Sequence, residues 1–218
     1  MTAAPTRRAP RLVSGADLLI VAAQLARRPH DMSRVAARCP FGYPAAVEDL
    51  PYGADGRPFP TLYYLTCPTV VAGVSALESA GGVQRWARRV AGDEVLAGSL
   101  AKAGAHCRRR RRELARRYAL PMLDGGASLG SGVGAVGGGA ALRGTGTPGT
   151  SPSAAIKCLH AHVAHALACP RYDLGAAVLA EVADPWCGDR RCAGFASAAP
   201  EPMPSGPSAA QAADGDLS

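Results

Sequence analysis

The stretch Thr61-Leu62-Tyr63-Tyr64-Leu65-Thr66-Cys67-Pro68 predicts a strand that passes directly into a helix. Its first six residues are β-branched, aromatic or aliphatic, which is the composition that strands favour. Both faces of this strand would be apolar or aromatic, so the strand should be covered on both sides. Pro68 suits the first position of a helix, because the N–H that proline lacks would have no partner there. The stretch therefore predicts a β-ribbon packed by helices.

A second, shorter strand is predicted upstream, at residues 43–47. The intervening pair Asp55-Gly56 is typical of turns. If the two strands pair antiparallel around this turn, Cys39 and Cys67 come to the same open end of the ribbon.

Helices are predicted on either side of this ribbon from apolar periodicity and from capping or breaking residues. Their expected ranges are 15–28, 68–79, 83–91, 94–118, 154–168 and 174–182. Single strands do not alternate with helices, as a parallel sheet would require. The expected fold class is therefore α+β, with a two- or three-stranded antiparallel ribbon packed by five or six helices.

A single domain is expected over residues 15–192, with disordered tails at 1–14 and 193–218. Within it, Gly, Ser, Thr and Ala dominate residues 124–153, which predicts a flexible loop. This loop contains a G-x-G-x-x-G match at 132–137. A dinucleotide site would need a strand before the match and a helix after it, and glycines stand in both places. No dinucleotide binding is expected.

The cysteines and the hydropathy of the chain suggest a compartment. Seven cysteines without regular spacing argue against a secreted disulfide framework, and the odd number would leave one unpaired. No run approaches the roughly 18 apolar residues that a membrane span needs. We therefore expect a cytoplasmic protein with reduced cysteines and no membrane span.

Residues 156–165 carry three of the five histidines and one of the seven cysteines. Thiolates and imidazoles are the usual ligands of zinc, so this segment is the first place to look for a site. On a helix beginning near residue 154, Cys158, His162 and His165 would lie within about 60° of one another. His160 would point nearly the opposite way.

Three segments together resemble a bacterial family of unknown function, DUF501. They are Cys39-Pro40, residues 59–68, and Lys157-Cys158-Leu159-His160 with the later Ala164-His165. Members of that family carry an Arg-Cys-Pro segment, a strand ending in Thr-Cys-Pro, and a Lys-Cys-Leu-His segment followed by Ala-His. The resemblance covers roughly residues 15–187 in the same order.

The resemblance implies no activity, cofactor or partner. It stresses His160 and His165, whereas helical geometry favours His162 and His165 beside Cys158. Many relatives have a second cysteine where this chain has Phe41. That departure weakens the case for a pair of metal ligands at Cys39.

We predict one shared site for a set of thiols and imidazoles, with zinc as the candidate cofactor. Its members are Cys39, Cys67 and Cys158, completed by His162 or His165 and by His160. Cys67 would stand at a helix N-terminus, where the helix dipole favours the thiolate. The alternative is that the cysteines pack as small apolar side chains and the histidines form hydrogen bonds in the core.

The long helix over residues 94–118 contains a dense basic run. Such a face can neutralise phosphates of a nucleic acid or bind an acidic protein, and the alternative is a solvated surface. Its members are Arg108, Arg109, Arg110, Arg111, Arg112, Arg116 and Arg117.

Three functional hypotheses follow from these patterns. The preferred one is an accessory, non-enzymatic protein with a Cys/His cluster of structural or metal-binding type. The second is a basic interaction module for a nucleic acid or an acidic protein. The third is a cysteine-dependent enzyme with Cys67 as its nucleophile.

Overall fold

The computed structural model describes residues 13–52, 59, 61–118, 120 and 156–196. Within these ranges, six α-helices and three strands form an α+β fold, which confirms the predicted class. In chain order the elements are α1 (Gly15–Leu25), β1 (Met32–Arg38), β2 (Pro44–Asp49), β3 (Tyr63–Leu65), α2 (Pro68–Ser79), α3 (Gly82–Ala91), α4 (Glu94–Arg117), α5 (Leu159–Ala168), α6 (Asp173–Ala180) and a C-terminal 3₁₀ helix (Arg191–Ala196).

The three strands form an antiparallel sheet in the order β1-β2-β3. All six residues of the central strand β2 are buried. The pairing of Ala46 with Leu65 joins the two strands that the sequence predicts. The segment 53–58, which holds the predicted turn, lies outside the described residues.

Strand β1 is an addition to the prediction, which places no helix or strand between residues 28 and 43. Its sequence alternates poorly, because Ser33 and Arg34 interrupt the apolar residues. A tight turn joins β1 to β2: Cys39 N donates to Tyr43 O (2.9 Å), and Gly42 N donates to Cys39 O (2.9 Å). Gly42 has a φ of +86°, which residues with a Cβ rarely adopt.

Capping residues set several helix ends where the sequence places them. Pro68 is the first residue of α2, and Cys67 is the N-cap. Asp93 accepts hydrogen bonds from Val95 N and Leu96 N at the start of α4. Helix α5 begins later than predicted, at Leu159 rather than at residue 154.

Helix α5 contacts all three strands of the sheet and packs against α2 and α6. The seam with α6 is close, because a Cβ on Gly175 would lie 2.3 Å from the carbonyl oxygen of His162. Seven of the ten residues of α5 are buried. This helix therefore fixes the positions of the histidines that it carries.

Two predicted boundaries concern parts of the chain at the edge of the described ranges. The expected loop 124–153 lies outside the described residues, as do residues 1–12 and 197–218. The 3₁₀ helix runs to Ala196, beyond the boundary predicted at 192. Within the described ranges, no helix combines the length and apolar character needed to cross a membrane.

Candidate functional site

The predicted cysteine and histidine ligands lie in four separate places. In the described part of the chain, two groups of three potential metal ligands have all their ligand atoms within 4.8 Å of one another. We call them the Glu78 cluster (Glu78, Cys158, His160) and the His106 cluster (His106, His165, Cys169). Neither combines Cys158 with Cys39 or Cys67, so the structure does not assemble the shared site expected from the sequence.

The separation of Cys158 from His162 and His165 follows from the position at which α5 begins. Cys158 is the N-cap, with φ −157° and ψ 124°, so its backbone is extended. Helical spacing therefore does not apply to it, and its thiol lies beside His160 instead of beside His162 and His165. The prediction from helical spacing, which placed His160 on the side opposite Cys158, is therefore wrong.

Cys39 and Cys67 lie at one end of the sheet, where β1 and β3 end and β2 begins. Cys192 joins them there, because Gln24 Nε2 donates both to Pro44 O (2.9 Å) and to Cys192 Sγ (3.4 Å). These thiols do not form a group within 4.8 Å. They line the end of the sheet without converging on one point.

The Cys67 thiol does not have the lowered pKa that its place at a helix N-terminus suggests. Burial raises the pKa of Cys67, and this outweighs the opposing hydrogen bonds from the backbone of Val70 and Thr69. A thiol that stays protonated is a poor nucleophile. The hypothesis of an enzyme that uses Cys67 loses its main support.

His162 belongs to the core. It is fully buried, and its Nδ1 lies 2.6 Å from the hydroxyl of Tyr172. Burial lowers the pKa of His162 to about 4, so the ring is neutral at neutral pH. His162 therefore lies on the packed face of α5 and belongs to neither cluster.

The Glu78 cluster joins the last turn of α2 to the first turn of α5. His160 Nδ1 lies 3.2 Å from Glu78 Oε1 and 3.8 Å from Cys158 Sγ. Glu78 Oε1 also accepts a hydrogen bond from Leu159 N (2.5 Å). It thereby caps α5, since the Cys158 side chain makes no capping bond.

The other ring nitrogen of His160 fixes the orientation of its imidazole. His160 Nε2 lies 3.3 Å from Val71 O and 3.2 Å from Ser75 Oγ. A carbonyl oxygen can only accept, so the bond to Val71 needs a hydrogen on Nε2, whereas the Ser75 hydroxyl can donate to Nε2 or accept from it. In the neutral tautomer that carries its hydrogen on Nε2, the lone pair of Nδ1 faces Glu78 and Cys158.

The charge state of His160 responds to these neighbours. The hydrogen bond with Cys158 raises the pKa of His160, and the carboxylate of Glu78 raises it further, against the effect of burial. The side chains of His160 and Glu78 are 25% and 26% exposed. Solvent and small molecules can therefore reach this cluster.

A cavity of about 610 Å³ adjoins the Glu78 cluster. Cys158 and His160 form one part of its lining. The rest of the wall comes from α1, β3 with its flanks, α2 and α5, through Gln24, Leu25, Thr61, Tyr63, Tyr64, Leu65, Thr66, Pro68, Val71, Ala72 and Ala161. The volume falls in the range of small-molecule pockets.

The geometry of the Glu78 cluster distinguishes metal coordination from nucleophilic catalysis. A nucleophile–base–carboxylate relay uses the two different nitrogens of the histidine ring. Here Glu78 and Cys158 both approach Nδ1 of His160, while Nε2 points to the backbone. A carboxylate, a thiol and an imidazole that converge on one point are instead the arrangement that a metal ion requires.

Two arginines of the basic run on α4 form hydrogen bonds with other parts of the fold. Arg110 binds the fully buried Glu48 through Nε–Oε1 (2.7 Å) and Nη2–Oε2 (3.0 Å). Hydrogen bonds from Arg110 and Ser33 and the charge of Arg34 lower the pKa of Glu48 despite its burial. Arg111 donates to the carbonyl oxygen of Phe59. The remaining members are Arg108, which is half-buried, and Arg109, Arg112, Arg116 and Arg117, which are exposed.

The fold and these clusters define the chain as an α+β protein with two groups of Cys, His and Glu side chains at the ends of one helix. It belongs to the family described as "Protein of unknown function (DUF501)", whose sequence model matches residues 35–180. The match confirms the resemblance and spans all members of both clusters. No curated protein and no solved structure matches the chain.

Proposed function

We propose that this protein binds a transition-metal ion, with zinc as the expected ion, at Glu78, Cys158 and His160. The observation that carries the proposal is the convergence of a carboxylate, a thiol and an imidazole on one point. Each is a common zinc ligand. The fourth coordination position would face the cavity, where it could hold water or a small molecule.

The surroundings of the three ligands support this proposal. In the tautomer that donates from Nε2 to the backbone carbonyl of Val71, Nδ1 of His160 is free to bind an ion. Metal-binding histidines commonly have such a partner on their second nitrogen. Leu159 N holds the carboxylate of Glu78 in place. Little rearrangement would be needed when an ion binds.

The accessory role proposed here is metal-dependent binding of a small molecule in the adjoining cavity. A purely structural zinc site usually has four protein ligands and no free position. The Glu78 cluster supplies three ligands and is partly exposed. The arrangement therefore favours a site that presents an ion to a ligand.

The test is a zinc titration of the metal-free protein against a chromophoric chelator. The parent should bind zinc, and Cys158→Ser and His160→Gln should each lose this site. Cys187→Ser is the matched control, because Cys187 is also a half-buried free cysteine and belongs to neither cluster. Unchanged stoichiometry and affinity in Cys158→Ser and His160→Gln would overturn the proposal.

The basic interaction module is the second candidate, since the exposed arginines of α4 remain available at the surface. They are Arg109, Arg112, Arg116 and Arg117. Their joint replacement by Gln should reduce binding to DNA or RNA and flatten its dependence on salt, if this candidate is correct. Binding that is weak and insensitive to the replacement would exclude it.

A further inference from the structure

The His106 cluster lies at the opposite end of α5 from the Glu78 cluster. His106 comes from the middle of α4, and His165 and Cys169 come from the last turn and the C-cap of α5. Tyr63 of β3 adjoins them, with its hydroxyl 3.0 Å from His106 Nε2. Three separate elements thus contribute polar atoms to one small volume.

Local structure explains how α5 supplies two of these groups. Cys169 is the C-cap, with φ −136° and ψ 87°, and its N donates to His165 O (2.8 Å), so it follows directly on the last helical turn. Its thiol lies within 4.8 Å of a ring nitrogen of His165. Cysteine and histidine at such a distance can bind one ion together.

The distance between two of the three ligands matches that between ligands of one ion, and all three ligand atoms lie within 4.8 Å of one another. Cys169 Sγ lies 3.6 Å from His106 Nε2 and 3.9 Å from the Tyr63 hydroxyl. Zinc bonds of about 2.0–2.3 Å in a tetrahedron separate neighbouring ligand atoms by roughly 3.3–3.8 Å. The shorter contact between Tyr63 and His106 is a hydrogen bond that an ion could replace.

The cluster lies at the edge of the core. His165 is 2% exposed and Tyr63 is 3% exposed, whereas His106 and Cys169 are half-buried. Cys107 Sγ lies 3.5 Å from Nδ1 of His165 and gives that nitrogen a neighbour outside the group. Outer partners of this kind orient the imidazoles that bind metals.

We infer that His106, His165 and Cys169 form a second transition-metal site, of the zinc class, with the Tyr63 hydroxyl beside the fourth position. An ion there would tie α4 to α5 and to the sheet. This site is independent of the Glu78 cluster, since the two share no residue.

Cobalt(II) is the probe for the test, because a thiolate ligand gives it a charge-transfer band and tetrahedral coordination gives strong visible bands. The full-length parent should bind two equivalents, Cys158→Ser one, Cys169→Ser one, and the double variant none. Cys187→Ser should behave like the parent. Zinc should raise the melting temperature of Cys158→Ser and leave that of the double variant unchanged.

The outcomes separate the two sites. If Cys169→Ser binds as much cobalt as the parent, with the same charge-transfer intensity, the second site is refuted. If Cys158→Ser abolishes all binding, the second site is refuted and the Glu78 site stands. If only Cys169→Ser loses binding, the second site stands and the Glu78 site fails. Should Cys169→Ser fold poorly by circular dichroism, His106→Gln at a half-buried position of α4 replaces it under the same criteria.

Discussion

The two ends of α5 carry similar chemistry in different surroundings. At the N-terminal end, Glu78, Cys158 and His160 stand partly exposed beside a cavity. At the C-terminal end, His165 is buried beside Cys169 of the same helix and beside Tyr63 and His106, which come from β3 and α4. Imidazole and thiol ligands therefore occur at both ends, all half-buried at the first and joined by a buried histidine at the second.

This difference suggests a division of roles between the proposed sites. An ion at the exposed end would keep a position for a small molecule, because the protein supplies three ligands there. An ion at the buried end would hold α4 against α5, and at either end it would add its binding energy to folding, since the ligands come from elements that meet only in the folded state. The following experiments test that division.

Metal removal should affect stability through both ends, because the ligands of each proposed site meet only in the folded state. At zinc concentrations a few hundred times Kd, binding to the folded state alone stabilises by about 3–4 kcal/mol per site. Chelation should therefore lower the free energy of unfolding by about this amount in Cys158→Ser, which keeps the buried site, and in Cys169→Ser, which keeps the exposed site, and hardly at all in the double variant. Urea unfolding with and without chelator measures all three. A loss in only one of the two single variants would show that zinc binds only at the site which that variant keeps.

The substitution Gly175→Ala should disturb the packing of α5 against α6, which supports both ends of α5. The new Cβ would lie 2.3 Å from the His162 carbonyl oxygen and 2.8 Å from the Ala166 Cβ, so α5 and α6 must move apart. Such overpacking costs about 2–3 kcal/mol, and both metal affinities should fall. Gly98→Ala is the control, because nothing lies within 4 Å of its Cβ, and its helix should gain about 0.5–1 kcal/mol. A Gly175→Ala variant as stable as the parent would contradict the close seam.

Two substitutions at Glu78 separate its capping role from its proposed role as a ligand. Glu78→Ala removes the acceptor for Leu159 N and should cost about 1 kcal/mol. Glu78→Gln keeps an oxygen acceptor, so its free energy of unfolding should stay near that of the parent. Both should lower zinc affinity at the exposed end by at least about tenfold. Full zinc affinity in Glu78→Gln would leave Glu78 only its capping role.

In the metal-free protein the two ends should respond to pH with opposite signs. Burial lowers the pKa of His165 to about 3, so its contribution to stability is complete above 6.5 and is lost as the pH falls toward 3. The neighbours Cys158 and Glu78 raise the pKa of His160, so its contribution is complete below 6.5 and is lost as the pH rises through the raised value. On the acid side, the urea midpoint of His165→Gln should depend less on pH than that of the parent.

The smallest change is expected in His160→Gln, because this histidine is partly exposed. Its urea midpoint should depend less on pH than that of the parent, and only on the basic side. A change on the same side in both variants would show that the ends do not differ in this way.

The sequence predicted the fold class because its signals are local. Pro68 and Asp93 mark the starts of α2 and α4, and the apolar run before Pro68 marks β3. Strand β1 escaped prediction, since Ser33 and Arg34 lack strand periodicity and their positions depend on contacts with Glu48 of β2.

The candidate site was predictable only in part. Cys158 and His160 stand out by composition, but their partner Glu78 lies 80 residues upstream of Cys158 and meets it only in the fold. One local signal was present: a carboxylate in the last turn of α2 is unfavourable beside the negative end of the helix dipole. Such a residue implies a partner elsewhere, and here the partner is the N-terminus of α5.

The two edge strands of the sheet, β1 and β3, are poor partners for pairing with a strand of another chain. Edge β3 has three residues, and edge β1 changes register at three places along its pairing with β2. Arg34 and Arg38 add positive charge along β1. Short, irregular and charged edges resist the addition of a strand from a second molecule. The sheet that holds Tyr63 and Glu48 in place is thus poorly suited to seed aggregation, even at high protein concentration.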